Sequence, residues 1–191
     1  MKKVVLLLAA VMTLMTMQAQ HVEFKWHRLY GVAGCDFSTN INKLTYEDKA
    51  TFADFYAVGG WQIRKESGIG LGVEYKMDMA GGYTQLPVFV EVRSHFMRNQ
   101  VTPFTSVYVG YSIPLGMSGG TDKVVQILQG GPTWGFNVGA RYAFNRKRGI
   151  NAFVGYQGIF LNSVDLIEDG VRQTALSVLM QNVKVGVGFN F

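Results

Sequence analysis

Apolar and polar side chains alternate along most of the chain, and the alternation continues to its last residue. In the segment 68–79, bulky apolar side chains occupy the odd positions, and glycines and charged side chains occupy the even positions. The segments 134–145 and 183–191 repeat this pattern, and the second of them ends on Phe189 and Phe191. A period of two residues is typical of β-strands that separate two unlike environments.

Eight segments carry the pattern, and the connections between them alternate in length. Short, mostly basic connections lie at 65–67, 98–102 and 145–148, whereas longer ones lie at 38–50, 116–130 and 163–175, with 80–83 as a short exception. This arrangement predicts an all-β fold, an eight-stranded antiparallel up-and-down barrel with both chain ends at the short-turn end. The predicted strands are 24–37, 51–64, 68–79, 84–97, 103–115, 131–144, 149–162 and 176–191.

One hairpin allows its register to be predicted. If Gly81 and Gly82 form a two-residue turn, Val73 lies opposite Val90 and the apolar faces of both strands coincide. Gly70 then lies opposite Arg93, and we expect the glycine to give room to the long charged side chain.

Side-chain size indicates which face of the barrel is outside. The polar face consists mainly of Gly, Ser, Asn and Ala, whereas the apolar face carries bulky residues such as Trp61, Leu71 and Trp134. A soluble barrel would need long charged side chains outside, yet only 16% of the residues are charged. Small polar groups inside and large apolar groups outside predict a transmembrane barrel. Aromatic residues fall at both predicted membrane interfaces, which agrees with this interpretation; they are Trp61, Phe96, Tyr142, Phe144, Phe189 and Phe191 near the short turns, with Trp134 and Phe55 near the loops.

The first residues predict an export signal. Lys2 and Lys3 precede a short apolar run at 4–17, and Ala19 offers a small residue for cleavage. A membrane-spanning helix needs about 20 apolar residues, which this run does not reach. We therefore predict a signal peptide at 1–19 and a single barrel domain at 20–191.

Three stretches carry a resemblance to a known group of proteins: 18–20 (QAQ), 30–38 (YGVAGCDFS) and the terminal Phe191. With them, the chain resembles the small outer-membrane barrels, akin to the OmpA membrane domain and OmpX, and in particular the porin-family barrels of Bacteroidota. The resemblance implies an outer-membrane location in contact with outer-membrane lipid, with both termini in the periplasm. It also implies that Phe189 and Phe191 form the signal that the outer-membrane barrel assembly machinery reads.

Composition and spacing give little support to other chemistry. Without Lys2 and Lys3 the chain has 16 basic and 13 acidic residues, a net charge of +3 that is too weak and scattered to predict nucleic-acid binding. His21, His27 and His95 have no metal-ligand spacing, and the single cysteine, Cys35, permits no intramolecular disulfide. We predict no catalytic, cofactor-binding or metal site.

Charged residues on the small face are expected to point into the barrel. The predicted interior polar network comprises Glu74, Lys76, Asp78, Glu91, Arg93, His95, Arg141 and Lys184, and Asp36, Asp54 and Arg64 share the same face. Buried charges require partners or water, so two interpretations remain open. The charges form a network that fills the lumen, or they line a narrow pore for small solutes.

Function is predicted only in outline. The favoured interpretation is an integral outer-membrane protein with a filled polar interior, whose external loops serve a structural or surface-interaction role with a protein partner that the sequence does not identify. An outer-membrane enzyme that modifies lipid is the remaining alternative. It is disfavoured because His27 and His95 both fall near the short-turn end, away from the loops where such chemistry would take place.

Overall fold

The protein is described by a computed structural model over residues 29–42, 50–64, 66–79, 83–96, 100–117, 123–145, 148–168 and 171–191. Within these ranges it describes the backbone alone at 83, 116–117, 123–128, 163–168 and 171–178. The predicted signal peptide at 1–19 lies outside the described residues. The strands are β1 (Leu29–Asn40), β2 (Thr51–Gln62), β3 (Ser67–Asp78), β4 (Tyr83–His95), β5 (Val101–Met117), β6 (Lys123–Gln129), β7 (Gly131–Ala143), β8 (Gly149–Glu168) and β9 (Val171–Asn190).

Antiparallel pairing of neighbouring strands closes these elements into a barrel. From β1 to β5 each strand pairs with the next, β5 pairs with β7, β7 with β8, β8 with β9, and β9 returns to β1. Closure leaves the barrel wall without an open edge. A membrane requires this because lipid offers no hydrogen-bond partners to the backbone N–H and C=O groups of an open edge. The predicted all-β, antiparallel, up-and-down barrel is confirmed.

Strands β6 and β7 follow one another along β8 and together occupy one of the eight strand positions of the barrel. Both pair with β8, but Gln129 faces Asn162 whereas Thr133 faces Ile159, so the β6–β7 side contains one extra residue. The extra residue falls at the Gly130–Pro132 stretch, where a β-bulge accommodates it. The Tyr111 hydroxyl donates a hydrogen bond to the Gly130 carbonyl at 2.8 Å and thereby stabilises the bulge.

Several predicted bounds are wrong. The first strand is Leu29–Asn40 rather than 24–37, and its predicted beginning at 24–28 lies outside the described residues. The predicted loops at 116–130 and 163–175 are largely strand, because β6 and the long ends of β8 and β9 continue the pairing above the barrel wall. The bulge between β6 and β7 shifts the alternation by one residue, which hides β6 from a search for period two, whereas β8 and β9 keep one register throughout.

The predicted register of the β3–β4 hairpin is wrong by two residues. Val73 lies opposite Val88, and Gly70 lies opposite Glu91 rather than Arg93. A shift of two leaves every side chain on its predicted face, so the alternation alone cannot detect it.

The two faces of the wall differ as predicted. Large apolar side chains are exposed on the outside of the wall; the exposed fraction of Leu71, for example, is 69% and that of Val109 is 60%. Inside, the buried groups include eight charged side chains: Asp36, Asp54, Glu74, Lys76, Asp78, Glu91, Arg93 and Lys184. In the part of the chain that the structure describes, no helix is long and apolar enough to span a membrane.

Candidate functional site: the barrel interior

The middle of the lumen holds five charged side chains from four adjacent strands, here called the central charge cluster: Asp36, Asp54, Glu74, Lys76 and Lys184. They meet because each occupies an inward position at a similar height, with Asp36 opposite Asp54 and Asp54 opposite Lys76. All five side chains are at most 4% exposed.

Two lysines hold the cluster together. The Lys76 ammonium lies 2.6 Å from Asp54 Oδ2, 2.6 Å from Ser38 Oγ and 3.6 Å from Glu74 Oε1. The Lys184 ammonium lies 2.6 Å from Glu74 Oε2, 3.3 Å from Asp36 Oδ1 and 4.0 Å from Asp54 Oδ2. Three carboxylates thus share two ammonium groups, so the cluster carries one carboxylate more than its lysines balance.

Asp36 has the fewest hydrogen-bond partners among the carboxylates of the cluster. Neither of its carboxylate oxygens accepts a hydrogen bond from the described protein, and its contact with Lys184 is an ion pair without hydrogen-bond geometry. Asp54, by contrast, accepts hydrogen bonds from Ser38 and Lys76. Glu74 accepts hydrogen bonds from Lys184 and, at 3.3 Å, from Gln157.

An apolar cluster, here called the loop-end cap, lies above these charges. Phe52, Ile159, Leu161 and Met180 are at most 2% exposed, and Ala50 packs against them. The Lys76 ammonium lies 4.9 Å from the centre of the Phe52 ring, so the cap contacts the charge cluster directly. Apolar side chains at this height exclude water from the loop side of the cluster.

An aromatic layer lies below the charges, toward the short turns. Its buried residues are Val32, Tyr56, Val58, Phe89, Phe104, Tyr108 and Phe153, and Tyr30 packs against them. Neighbouring rings contact each other, with Phe89 and Tyr108 centroids 5.0 Å apart. A cavity of about 20 Å³ remains between this layer and the charges. By the volume that one ordered water needs, such a cavity holds about one or two waters.

Glycines on adjacent strands make room for these rings. Phe89 pairs with Gly72 on one side and Gly110 on the other, and its ring covers Gly72. Tyr108 covers Gly135 in the same way. Our expectation that Gly70 gives room to a long charged side chain is wrong, because the side chains of Tyr30 and Val58 lie over it.

The predicted network residues divide between separate places. Glu74, Lys76 and Lys184 meet in the central charge cluster, and Asp78 is buried higher in the lumen. Glu91 and Arg93 form their own ion pair, with Arg93 Nε 2.6 Å from Glu91 Oε1.

Two further predicted residues, His95 and Arg141, are half-buried at the short-turn mouth, where they line a second cavity with Arg93. The two predicted terminal aromatics, Phe189 and Phe191, lie outside the lumen. Their rings stack on the outer surface with centroids 6.5 Å apart.

Sequence reasoning missed the interior aromatics and the pairing of the neutral polar groups. Tyr56 and Phe89 share the inward parity of Asp54 and Glu91, and this parity was the available signal. Neutral pairs such as Ser112 with Gln85, at 2.9 Å, also fill the lumen. Among the described residues, no group of three or more His, Cys, Asp or Glu side chains is arranged to hold a metal ion.

The fold has clear counterparts among solved structures. Neisserial surface protein A (NspA) matches with a TM-score of 0.63 over 85% of this chain and 95% of that chain, at 11% identity. The outer membrane protein OprG from Pseudomonas aeruginosa matches with a TM-score of 0.52 over 85% and 95% of the two chains, at 13% identity. No protein-family model and no curated protein matches. The predicted resemblance to small outer-membrane barrels is confirmed at the level of the fold.

Proposed function

We propose that the protein is an integral outer-membrane barrel with a closed, filled lumen, and that it serves as a rigid base for the structure at its loop end. The buried central charge cluster, covered by the loop-end cap, carries this proposal. Paired charges between an apolar cap and an aromatic layer leave little room for a continuous water path. An open pore for small solutes is the outcome that would replace this account.

The elongated strands above the wall support a surface-interaction role. Strand β9 pairs with β1 only from Asn182 to Asn190, whereas its pairing with β8 continues up to Val171. At about 3.3 Å per residue, the eleven residues from 171 to 181 extend roughly 36 Å. A projecting sheet of this length offers a partner protein an extended surface, and rigid anchoring in the bilayer would hold it away from the membrane.

Orientation follows from how far the chain extends beyond the barrel wall at each end. One end has the short connections 63–66, 96–100 and 144–148, and the other end has the connection 41–50, β6 and the extended ends of β8 and β9. Outer-membrane barrels have short periplasmic turns and longer external segments, so we assign the short turns and both chain ends to the periplasm. An enzymatic role has less support, because His95 lies at the short-turn mouth beside Phe104, 5.9 Å from ring centre to ring centre. Chemistry on external lipid would require reactive groups at the opposite end.

Cysteine labelling in intact cells tests the location and the orientation. In a Cys35→Ser background, Gly119→Cys lies in the connection between β5 and β6, and Arg148→Cys lies at a short turn. A membrane-impermeant maleimide is expected to label Gly119→Cys in intact cells and Arg148→Cys only after the outer membrane is permeabilised. The opposite pattern would reverse the orientation, and labelling of neither variant in either condition would contradict the outer-membrane location.

The last strand is proposed to direct assembly through its terminal aromatics. The Phe191 amide donates to the Gly31 carbonyl at 3.0 Å, the Gly31 amide donates to the Phe191 carbonyl at 2.9 Å, and the Phe191 ring covers Gly31. We expect Phe191→Ala to lower the amount of assembled barrel several-fold while export across the inner membrane continues. The measurement is the fraction that migrates as folded protein on unboiled gels.

Phe144→Ala is the matched control, because Phe144 is also an exposed aromatic at the short-turn end, at 55% against 59% for Phe191. It removes a comparable ring from a different strand end. Equal assembly losses in the two variants would show that Phe191 contributes interfacial packing and no special signal.

A further inference from the structure

A cavity opens at the short-turn mouth of the barrel, below the aromatic layer. Its volume is about 90 Å³, and its polar lining includes Tyr30, Arg93, His95, Arg141 and Glu66. By the volume that one ordered water needs, it has room for roughly six waters. The space is therefore sufficient for one small ion together with a few waters.

Two guanidinium groups, those of Arg93 and Arg141, line this mouth cavity beside the His95 ring. Arg93 and Arg141 both add positive potential at His95, and Arg93 also adds to the potential at Arg141. Glu66 is the one acidic side chain in the lining, and Glu91 pairs with Arg93 from the lumen. Two guanidinium groups that repel each other across one cavity favour an anion between them.

Arg93 has hydrogen-bonding capacity left over. It is 5% exposed, its Nε donates to Glu91 Oε1 at 2.6 Å, and its guanidinium lies 5.0 Å from the centre of the Phe104 ring. The terminal Nη1 is buried and has no hydrogen-bond partner in the described protein. A buried guanidinium nitrogen without a partner is costly, and an oxyanion or water in one of the two cavities that Arg93 lines would satisfy it.

The rim of the cavity is apolar and faces lipid. Leu29 and Phe191 line it, and their side chains are 60% and 59% exposed on the outer surface. The mouth therefore lies where the headgroups of a bilayer would meet the barrel. A ligand with an anionic head and an apolar tail would match both the inner wall and the rim.

We propose that the mouth cavity binds a single phosphate group, held by Arg93 with support from His95 and Arg141. Guanidinium groups pair with phosphate through several charge-assisted hydrogen bonds, and the fixed position of Arg93 over Phe104 reduces the ordering that binding requires. The phosphate comes from one of two sources, a lipid headgroup or a free anion, and the recognising chemistry is the same for both. Arg93 also lines the small cavity in the lumen, but phosphate binding at the mouth can be measured whether or not the lumen conducts, so the two proposals fail separately.

Nuclear magnetic resonance of the folded protein in a maltoside detergent, without phosphate buffer, tests the site. Inorganic phosphate is titrated at constant pH and ionic strength, and the Arg93 Nε–H and His95 ring resonances are followed. Saturable shifts are expected. The double variant Glu91→Gln/Arg93→Gln removes the guanidinium without leaving a buried carboxylate unpaired, and it should weaken binding by about tenfold or more.

Arg148→Gln is the matched control, because Arg148 is exposed at the same end of the barrel and does not line the cavity. It should change the affinity by less than about twofold, as expected for a screened surface charge. If it weakens binding as much as the double variant, the site reduces to general surface charge and the proposal is wrong. The proposal is also wrong if the detergent sample shows no saturable shifts and the resonances in the nanodiscs described next stay at the unbound position.

Phosphatidylglycerol nanodiscs without free phosphate separate the two sources. If the headgroup is the ligand, Arg93 and His95 should already resonate at the bound position, and added phosphate should shift them no further. If free phosphate is the ligand, the same resonances should titrate in nanodiscs as in detergent. Resonances that stay at the unbound position in both media, with and without phosphate, would rule out the site.

Discussion

Replacing Lys184 with methionine is expected to lower the free energy of unfolding by about 3–5 kcal/mol, the typical cost of stranding a buried charge. Lys184 lies 2.6 Å from Glu74 and 3.3 Å from Asp36, and its side chain is 4% exposed. Without it, the single ammonium of Lys76 would face three carboxylates. Denaturant unfolding in lipid vesicles, followed by the mobility of the folded band on unboiled gels, measures the loss.

Asp36→Asn should have a much smaller effect than Lys184→Met. Neither Asp36 oxygen accepts a hydrogen bond from the described protein, and removing its charge would leave two carboxylates opposite two ammonium groups. We expect a cost below about 1 kcal/mol, or a gain in stability, because the change relieves repulsion between carboxylates in a low-dielectric interior.

Arg148→Met is the control for the loss of one cationic side chain, since Arg148 is exposed at a turn. It should change the unfolding free energy by no more than about 0.5 kcal/mol. If Lys184→Met costs no more than this control, the central charge cluster is hydrated and the filled-lumen account fails. If Asp36→Asn costs as much as Lys184→Met, the surplus of carboxylates has been assigned wrongly.

The second large effect is expected at the glycines beside Phe89. At Gly72, the three atoms nearest to an added methyl group would all belong to the Phe89 ring. At Gly110, the nearest atoms would be the Val88 carbonyl oxygen and, at 2.6 Å, the Phe89 Cα. Both alanine variants should lose about 1–3 kcal/mol through overpacking, and Gly110→Ala should lose more because backbone atoms cannot rotate away.

Rescue by a smaller neighbour distinguishes the two sites. Combining Gly72→Ala with Phe89→Leu should recover part of the lost stability, because the smaller side chain vacates the space above residue 72. The same Phe89→Leu change should not rescue Gly110→Ala. Gly59→Ala is the control, since nothing lies within 4 Å of the position that its Cβ would occupy. Rescue of both variants, or of neither, would contradict the proposed packing of the aromatic layer.

The alternation predicted the fold because a barrel wall imposes two unlike solvents on successive side chains. Leu71 and Glu74 fall on the faces expected for lipid and lumen, and no knowledge of tertiary contacts was needed to assign them. Register was not accessible in the same way. A slip of two residues in the β3–β4 hairpin preserves both faces, so turn residues alone had to decide it and they favoured the wrong pairing.

The contents of the lumen were predicted only in part. Inward charges such as Asp54 and Lys184 were assigned from parity, but parity does not say which of them meet, since the ion pairs depend on strand heights across the barrel. The separation of the Glu91–Arg93 pair from the central charge cluster was therefore not predictable. The inward aromatics were not assigned, because the polar face was characterised by its prevalent small residues and not position by position.

The central claim is that the lumen is closed, and planar-bilayer recording tests it most directly. Vesicles are first shown by unboiled gel mobility to contain folded protein, so that silence cannot result from failed insertion. We expect no steady unitary currents from the wild-type barrel, because the loop-end cap, the central charge cluster and the aromatic layer occupy successive levels of the lumen. Reproducible unitary currents whose size or ion selectivity changes in Lys184→Met would contradict it and identify the protein as a small pore.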